Sequence, residues 1–407
     1  MHVVIVNDFA FVNGGAGMVA LSSACALAER GHRVIVFAAV AGEQGGIAAM
    51  PGVQLICTNQ PDLVSNPSPA AAALQGIWNR TAQVRMGELL ERLPARDTVV
   101  HFHGWTKALS PSVIAQVAAQ KFPAIATLHE YFSACPNGGF FNYQSNRSCD
   151  KAPLGMSCLG THCDSRSYPR KLWRVARQVV QQRVSRFPGG LRHFIAVSTF
   201  STDILQPYLP SDARIHHVPN PIVIRRPQLK DRAPGDHFVC VGRLSPEKGV
   251  ELFARATGAL GVPTRFVGDG PLRGAVLKAN PAAAVTGWLN APEAQLEIAR
   301  ARALVLPSLW YETQGMVVDE AAALGVPAIV SDGSAARDRV VDGKTGLWFR
   351  CGDEADLTDK LRALAGDPSL AATMGAHAYE QFWRDPPTLQ RHVSGLEAAY
   401  SECLSDR

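Results

Sequence analysis

A chain of 407 residues that is 47% hydrophobic and 18% charged, with a mean hydropathy of +0.00, can bury sizeable cores and is excluded from the disordered and collagen-like classes. Its length exceeds what one core usually organises, so two domains are expected. The net charge of +5 is too mild to call for nucleic acid as a partner, and no stretch reaches the roughly 18 uninterrupted apolar residues of a membrane span.

His2 to Asn7, HVVIVN, reads as a first strand. Met1 to Asn7 is too short for a signal peptide and lacks its basic lead and cleavage site, so a cytoplasmic location is expected. Met18 to Gly31 has helical apolar spacing and ends on a glycine C-cap. Further strands are expected at Arg33 to Ala39, Thr98 to His103 and Ala124 to His129. Strands alternating with helices at this spacing give a parallel α/β sheet.

After His129 comes an irregular insertion, 130–165, with few helix or strand signals. Five of the nine cysteines (Cys25, Cys57, Cys240, Cys351, Cys403) are scattered singly and read as core fillers, but Cys135, Cys149, Cys158 and Cys163 crowd into the insertion. Four thiolates can close a structural zinc site. The spacing lacks a C-x2-C knuckle, so disulfide pairs and free thiols stay open. Segment 166–192 carries eight basic residues and no acidic one, with Leu172, Trp173, Ala176, Val179 and Val180 as an apolar stripe. Such a helix either lies on an anionic membrane surface or packs its stripe on the N-terminal domain.

Val218 to Gln228 has three prolines in eleven residues and reads as the inter-domain connector. The strand pattern then restarts at His237 to Leu244, Thr264 to Gly270, Ala301 to Ser308 and Val326 to Asp332. The expected division is therefore an N-terminal domain over 1–220, a C-terminal domain over 221–385, and a closing helix in 386–407 whose packing partner the pattern does not identify. Ligands in such sheets bind beyond the carboxyl ends of the strands, so two facing domains enclose one cleft.

Three segments of the second domain converge on a nucleotide diphosphate. GRLSPEKG (Gly242 to Gly249) offers Arg243 and Lys248 where a strand end meets phosphate. VGDGP (Val267 to Pro271) is a glycine turn in which Gly268 lets backbone approach a ligand. In YETQGMVVDEAAALG (Tyr311 to Gly325), a helix beginning near Gly315 presents the amides of Gly315, Met316 and Val317 as an anion site. Glu312 lies before that helix and Glu320 within it.

GRLSPEKG, GDGP and the E-x7-E pair Glu312 and Glu320 resemble, in order and spacing, the retaining GT-B glycosyltransferases of family 4. VNGGAGMVALSSACALAERGHRVIVF, VHFHG, AVSTF, VPNPI and DGKTGLWF extend the likeness over nearly the whole chain. The resemblance implies two Rossmann-like domains across a cleft and a hexosyltransferase that uses a UDP- or GDP-sugar donor. The basic amphipathic segment 166–192 is the hint to the acceptor, a saccharide or a lipid-linked saccharide presented at a membrane surface, as in cell-surface polysaccharide assembly. The resemblance further implies that Arg243 and Lys248 bind the donor diphosphate and that Glu320 holds the ribose hydroxyls. Glu312 would contact the sugar, Gly14 and Gly15 would let the N-terminal domain close on phosphate and sugar, and His129 would stand near sugar and acceptor. The family's aromatic-glycine pair is here Gln314 and Gly315, which puts the aromatic contact in doubt.

No D-x-D motif occurs in the chain, so no metal cofactor is expected for catalysis. GAGMVA (Gly15 to Ala20) imitates a dinucleotide fingerprint, but DFAFVNG separates it from the strand and no acid ends Arg33 to Ala39. GKT at Gly343 to Thr345 imitates a phosphate loop but has Asp338 where a glycine is needed. The alternatives are a sugar-nucleotide epimerase on the same scaffold and a non-catalytic sugar-nucleotide-binding protein.

Overall fold

The computed structural model describes residues 1–42, 51–228 and 235–406. The parts of the expected domains at 43–50, 229–234 and 407 lie outside the described residues. The first half forms β1 (His2–Val6), β2 (Arg33–Ala38), β3 (Val53–Cys57), β4 (Thr98–Phe102), β5 (Ala124–Thr127), the hairpin strands β6 (Phe141–Asn142) and β7 (Arg147–Ser148), then β8 (His193–Ala196) and β9 (Arg214–His217). Seven of these make one sheet in the order β3-β2-β1-β4-β5-β8-β9. The second half forms β10 (Phe238–Val241), β11 (Thr264–Val267), β12 (Ala284–Val285), β13 (Ala303–Leu306), β14 (Ala328–Ser331) and β15 (Gly346–Phe349), in the order β12-β11-β10-β13-β14-β15.

Every pairing within both large sheets is parallel. Val3 to Val6 are fully buried, the signature of a strand covered by helices on both faces. Each sheet reverses its strand order once, between β1 and β4 in the first and between β10 and β13 in the second. A crevice opens beyond the strand ends at such reversals. The segments that leave these four strands begin at Asn7, His103, Gly242 and Pro307, so the topology itself selects the loops that border the cleft.

Helix Leu389–Ser405 docks on the first lobe, where Val393, Leu396 and Tyr400 share a core with Val3, Ile5 and Ile125. Helix Pro368–Arg384 stays on the second lobe, where Met374 joins the core built around Phe253 and Phe266. The chain thus crosses between lobes twice. Asp385 to Thr388 returns beside the connector, and the Ile222 amide donates to the Pro387 carbonyl at 2.9 Å.

Helix Tyr168–Arg183 departs from one of the two sequence expectations, that of an apolar stripe packed on the N-terminal domain. Lys171, Arg177, Gln178 and Gln181 point inward, whereas Leu172 and Val179 face solvent at 45% and 42% exposure. Buried acceptors cause the inversion: Arg177 donates to the Thr106 and Pro136 carbonyls, and Gln181 to the Phe132 carbonyl. Of the expected stripe, Trp173 lies against helix Pro69–Ile77, its indole donating to the Ala73 carbonyl at 3.0 Å.

Candidate active site between the lobes

The donor side grows from β10. Gly242 and Gly268 both have left-handed φ values, +140° and +138°, and a Cβ on Gly268 would lie 2.0 Å from the Gly242 carbonyl oxygen. Gly268 therefore serves close approach of two strand ends, which sets the path of the Arg243 loop. The turn Pro246–Lys248 closes on Gly249, whose Cβ would sit 1.9 Å from the Pro307 oxygen. This contact brings Lys248 beside the β13 loop, where Lys248 Nζ lies 2.6 Å from Glu312 Oε1.

Glu312 also accepts from the Ser308 hydroxyl at 2.7 Å. Burial pushes its carboxyl up, but Lys248 and the Ser308 hydrogen bond outweigh this and hold it below its ordinary value. Lys248 further sits over the Trp310 ring at 5.2 Å. Arg243 is 61% exposed and held only loosely by Glu247 at 3.5 Å, so it is free to turn towards an anion. Glu247 is itself buried and takes the Ser245 hydroxyl at 2.6 Å; the sequence reading passed over it as a loop residue.

Helix Met316–Ala323 starts from Gly315 at φ +78° with no side-chain cap. Its first amides are thus available to an anion. Glu320 stands within this helix, and burial, reinforced by Asp319, raises its pKa to about 7. Gln314, in the place of the family's aromatic, is buried; it accepts from the Asn220 amide at 2.9 Å and so ties the connector to the helix start. Asp338, which spoils the phosphate-loop imitation, takes the Thr199 hydroxyl and the Phe200 amide of the first lobe.

The first lobe meets this wall directly. Helix Gly14–Glu29 also begins without a side-chain cap, and a Cβ on Gly15 would lie 3.8 Å from Met316 Sδ. Two helix N-termini therefore confront each other, and both favour negative charge between them. The Thr313 hydroxyl donates to the His129 carbonyl at 3.1 Å, and the Ser198 hydroxyl donates to the Thr313 carbonyl at 2.5 Å. The start of the Gly315 helix thus meets Gly15, and Thr313, next to the Lys248–Glu312 pair, meets His129 where the lobes face each other.

On the first-lobe side lies a cavity lined by Asn13, His103, Lys107, His129, Glu130 and Phe132, among others. Burial lowers the His129 pKa to about 3, so its ring is neutral. Burial raises the Glu130 carboxyl, opposed by Lys107. Asp8 accepts the amides of Lys107, Ala108 and Leu109 at 2.8–2.9 Å and fixes the loop after β4. The sequence reading missed Asp8, His103 and Glu130. Their only signal was position, one to three residues beyond a strand end.

The sulfurs of the four insertion cysteines, offered by the sequence as one possible zinc site, are not gathered into one cluster among the described residues. Among the described residues, the one group of three candidate ligands within 4.8 Å is His193, His216 and Glu402, and no three of Cys135, Cys149, Cys158 and Cys163 qualify. The physical reason is Lys171, which is 1% exposed and donates to Cys163 Sγ at 3.1 Å and Cys158 Sγ at 3.4 Å. The insertion instead reaches the second lobe, where the Ser148 hydroxyl donates to the Leu309 carbonyl at 2.8 Å.

Two facing parallel α/β lobes, each with its strand-order reversal, are the GT-B fold. Sucrose-phosphate synthase from Thermosynechococcus elongatus superposes with a TM-score of 0.70 at 15% identity, covering 100% of both chains. HepE of Anabaena, solved in complex with UDP-glucose, gives a TM-score of 0.65 at 17% identity over 98% of this chain and 100% of that one. Residues 13–226 match Glycosyltransferase Family 4 and residues 235–367 match Glycosyl transferases group 1. The chain belongs to glycosyltransferase family 4. Among curated relatives, D-inositol 3-phosphate glycosyltransferase of Nocardia farcinica is 32% identical over 194 residues, which is 42% of each chain. The match thus spans well under half of that relative's length.

Proposed function

We propose that the protein moves a hexosyl group from a UDP- or GDP-sugar to a saccharide or lipid-linked saccharide, with retention of anomeric configuration. The observation that carries this reading is the confrontation of two uncapped helix starts, Gly14 and Met316, beside Arg243 and the Lys248–Glu312 pair. A diphosphate between the lobes would find amides from both sides and two cations, which stabilise the charge of the leaving group. In the reaction, the anomeric C1–O bond to phosphate breaks and a C1–O bond to the acceptor oxygen forms on the same face. The acceptor hydroxyl proton passes to the departing phosphate oxygen. Glu320 would hold the ribose and Glu312 the sugar hydroxyls.

The acceptor reading draws on helix Tyr168–Arg183. Leu172, Ala176 and Val179 form an exposed apolar stripe flanked by exposed Arg170 and Arg183, a combination suited to anionic lipid headgroups. No described helix is long and apolar enough to cross a membrane. Contact would therefore be peripheral, at the inner face, and in keeping with polysaccharide or glycolipid assembly.

Calorimetry against UDP-glucose and GDP-mannose, followed by NMR of the transferred product, tests the proposal. Binding of one donor, an axial-to-axial or equatorial-to-equatorial outcome, and turnover that persists in EDTA are expected. Absence of affinity for every sugar nucleotide overturns the reading, and an inverted anomer overturns its retaining step.

A further inference from the structure

A chain of buried rings joins the C-terminal helix to His129. Tyr400 OH lies 2.7 Å from His101 Nδ1, His101 Nε2 lies 2.7 Å from Thr127 Oγ1, His103 Nε2 lies 3.2 Å from His101 Nδ1, and His103 Nδ1 lies 3.0 Å from His129 Nε2. Tyr400 and His101 are 0% exposed and His103 is 5% exposed. Burial lowers the pKa of all three imidazoles and raises that of the phenol. Three neutral rings therefore carry one proton each, and Tyr400 keeps its own.

The positions of those protons follow from one donor. Among the described residues, the phenol's only hydrogen-bond partner is His101 Nδ1, so its proton points there and that nitrogen is bare; a buried hydroxyl proton with no acceptor is costly. His101 then carries its proton on Nε2 and donates to Thr127 Oγ1, which is able to accept. His103 Nε2 faces the same bare Nδ1. The phenol already takes the lone pair of that nitrogen, so the His103 contact is a weaker, shared one, but a bare His103 Nε2 would meet no donor among the described residues, and His103 therefore carries its proton on Nε2 as well. That leaves His103 Nδ1 bare, and His129 must donate to it from Nε2. We propose that Tyr400, acting through His101 and His103, fixes His129 in the tautomer with its proton on Nε2 and its lone pair on Nδ1. The C-terminal helix thereby becomes a positioning element of the active site. The functional part of this inference rests on the reading that His129 stands beside the transferred sugar.

The test uses full-length protein labelled with 15N-histidine. In the free wild-type protein, the His129 ring is expected to show a protonated Nε2 and a bare Nδ1. Tyr400→Phe removes only the phenol hydroxyl and is expected to move a measurable fraction of His129 to the Nδ1–H form. With whichever of UDP-glucose and GDP-mannose is turned over, that variant should lose about tenfold to a hundredfold in kcat while the donor KM stays within about twofold. His103→Gln, which offers both a donor and an acceptor, should recover more kcat than His103→Phe. A wild-type His129 protonated on Nδ1, or a Tyr400→Phe spectrum identical to wild type, overturns the proposal. The wild-type spectrum decides the tautomer even if the variant fails to fold. A correct tautomer without turnover of any donor refutes the functional reading and leaves the ring chain standing.

Discussion

Replacing Lys248 by Met separates two roles that the structure gives this side chain. In the free protein the lysine neutralises Glu312, whose side chain is 9% exposed against 24% for Lys248, across 2.6 Å. Breaking a buried pair costs about 3–5 kcal/mol because a bare charge is left behind. The partly exposed lysine and the remaining Ser308 hydroxyl reduce this, so a loss of about 2–3 kcal/mol is expected. In a lobe of this size that lowers Tm by about 4–12 °C. Glu312→Gln on the Lys248→Met background removes the stranded carboxylate and should restore most of the loss. Because Glu312 is held below its ordinary value in the folded chain, the pair contributes fully above pH 4.5 and its contribution fades as pH falls below that. The gap between wild type and Lys248→Met should therefore narrow in acid. Turnover behaves differently: the diphosphate contact is absent in single and double variants alike, and both should lose about a hundredfold to a thousandfold in kcat. Thermal unfolding across pH, paired with donor turnover, reads both roles. A double variant no more stable than Lys248→Met refutes the ion-pair argument, and undiminished turnover refutes the phosphate role.

Donor KM should fall about tenfold between pH 6 and 8, as Glu320 ionises through a pKa of about 7 and its carboxylate becomes a better acceptor for ribose hydroxyls; Glu320→Gln should flatten that profile, and an unchanged profile would assign the titration elsewhere. Gly268→Ala places a methyl 2.0 Å from the Gly242 oxygen and should destabilise the second lobe by about 3 kcal/mol or more, measured by urea unfolding; a near-neutral result would mean the two strand ends are not held together as described. Charge reversal at Arg170 and Arg183 together should weaken co-sedimentation with phosphatidylglycerol vesicles by more than tenfold, at roughly 1 kcal/mol for each arginine lost with repulsion adding to it. Equal sedimentation of wild type and variant would remove the helix from the membrane.

Much of this architecture was legible from local pattern. Buried parallel strands need apolar residues on both faces, so VVIV and ALVL announce themselves, and the glycines at 242, 268 and 315 sit where φ is positive or backbones nearly touch. The E-x7-E spacing sufficed to place Glu312 before a helix and Glu320 inside it. Strand β9, RIHH, carries a single apolar residue and so offers an apolar pattern nothing to register.

What the sequence by itself determined was the pair of α/β lobes and the segments that leave their strand ends, because strand ends and helix starts are encoded within a dozen neighbouring positions. Only the tertiary structure decided the side-chain partners that no local pattern announces. It turned the polar face of helix Tyr168–Arg183 inward towards buried carbonyls, set Lys171 between two sulfurs, and brought Tyr400 to His101, 299 residues away in sequence. Hydrogen-bond satisfaction in a dry interior fixed those choices, and linear spacing carries no record of it.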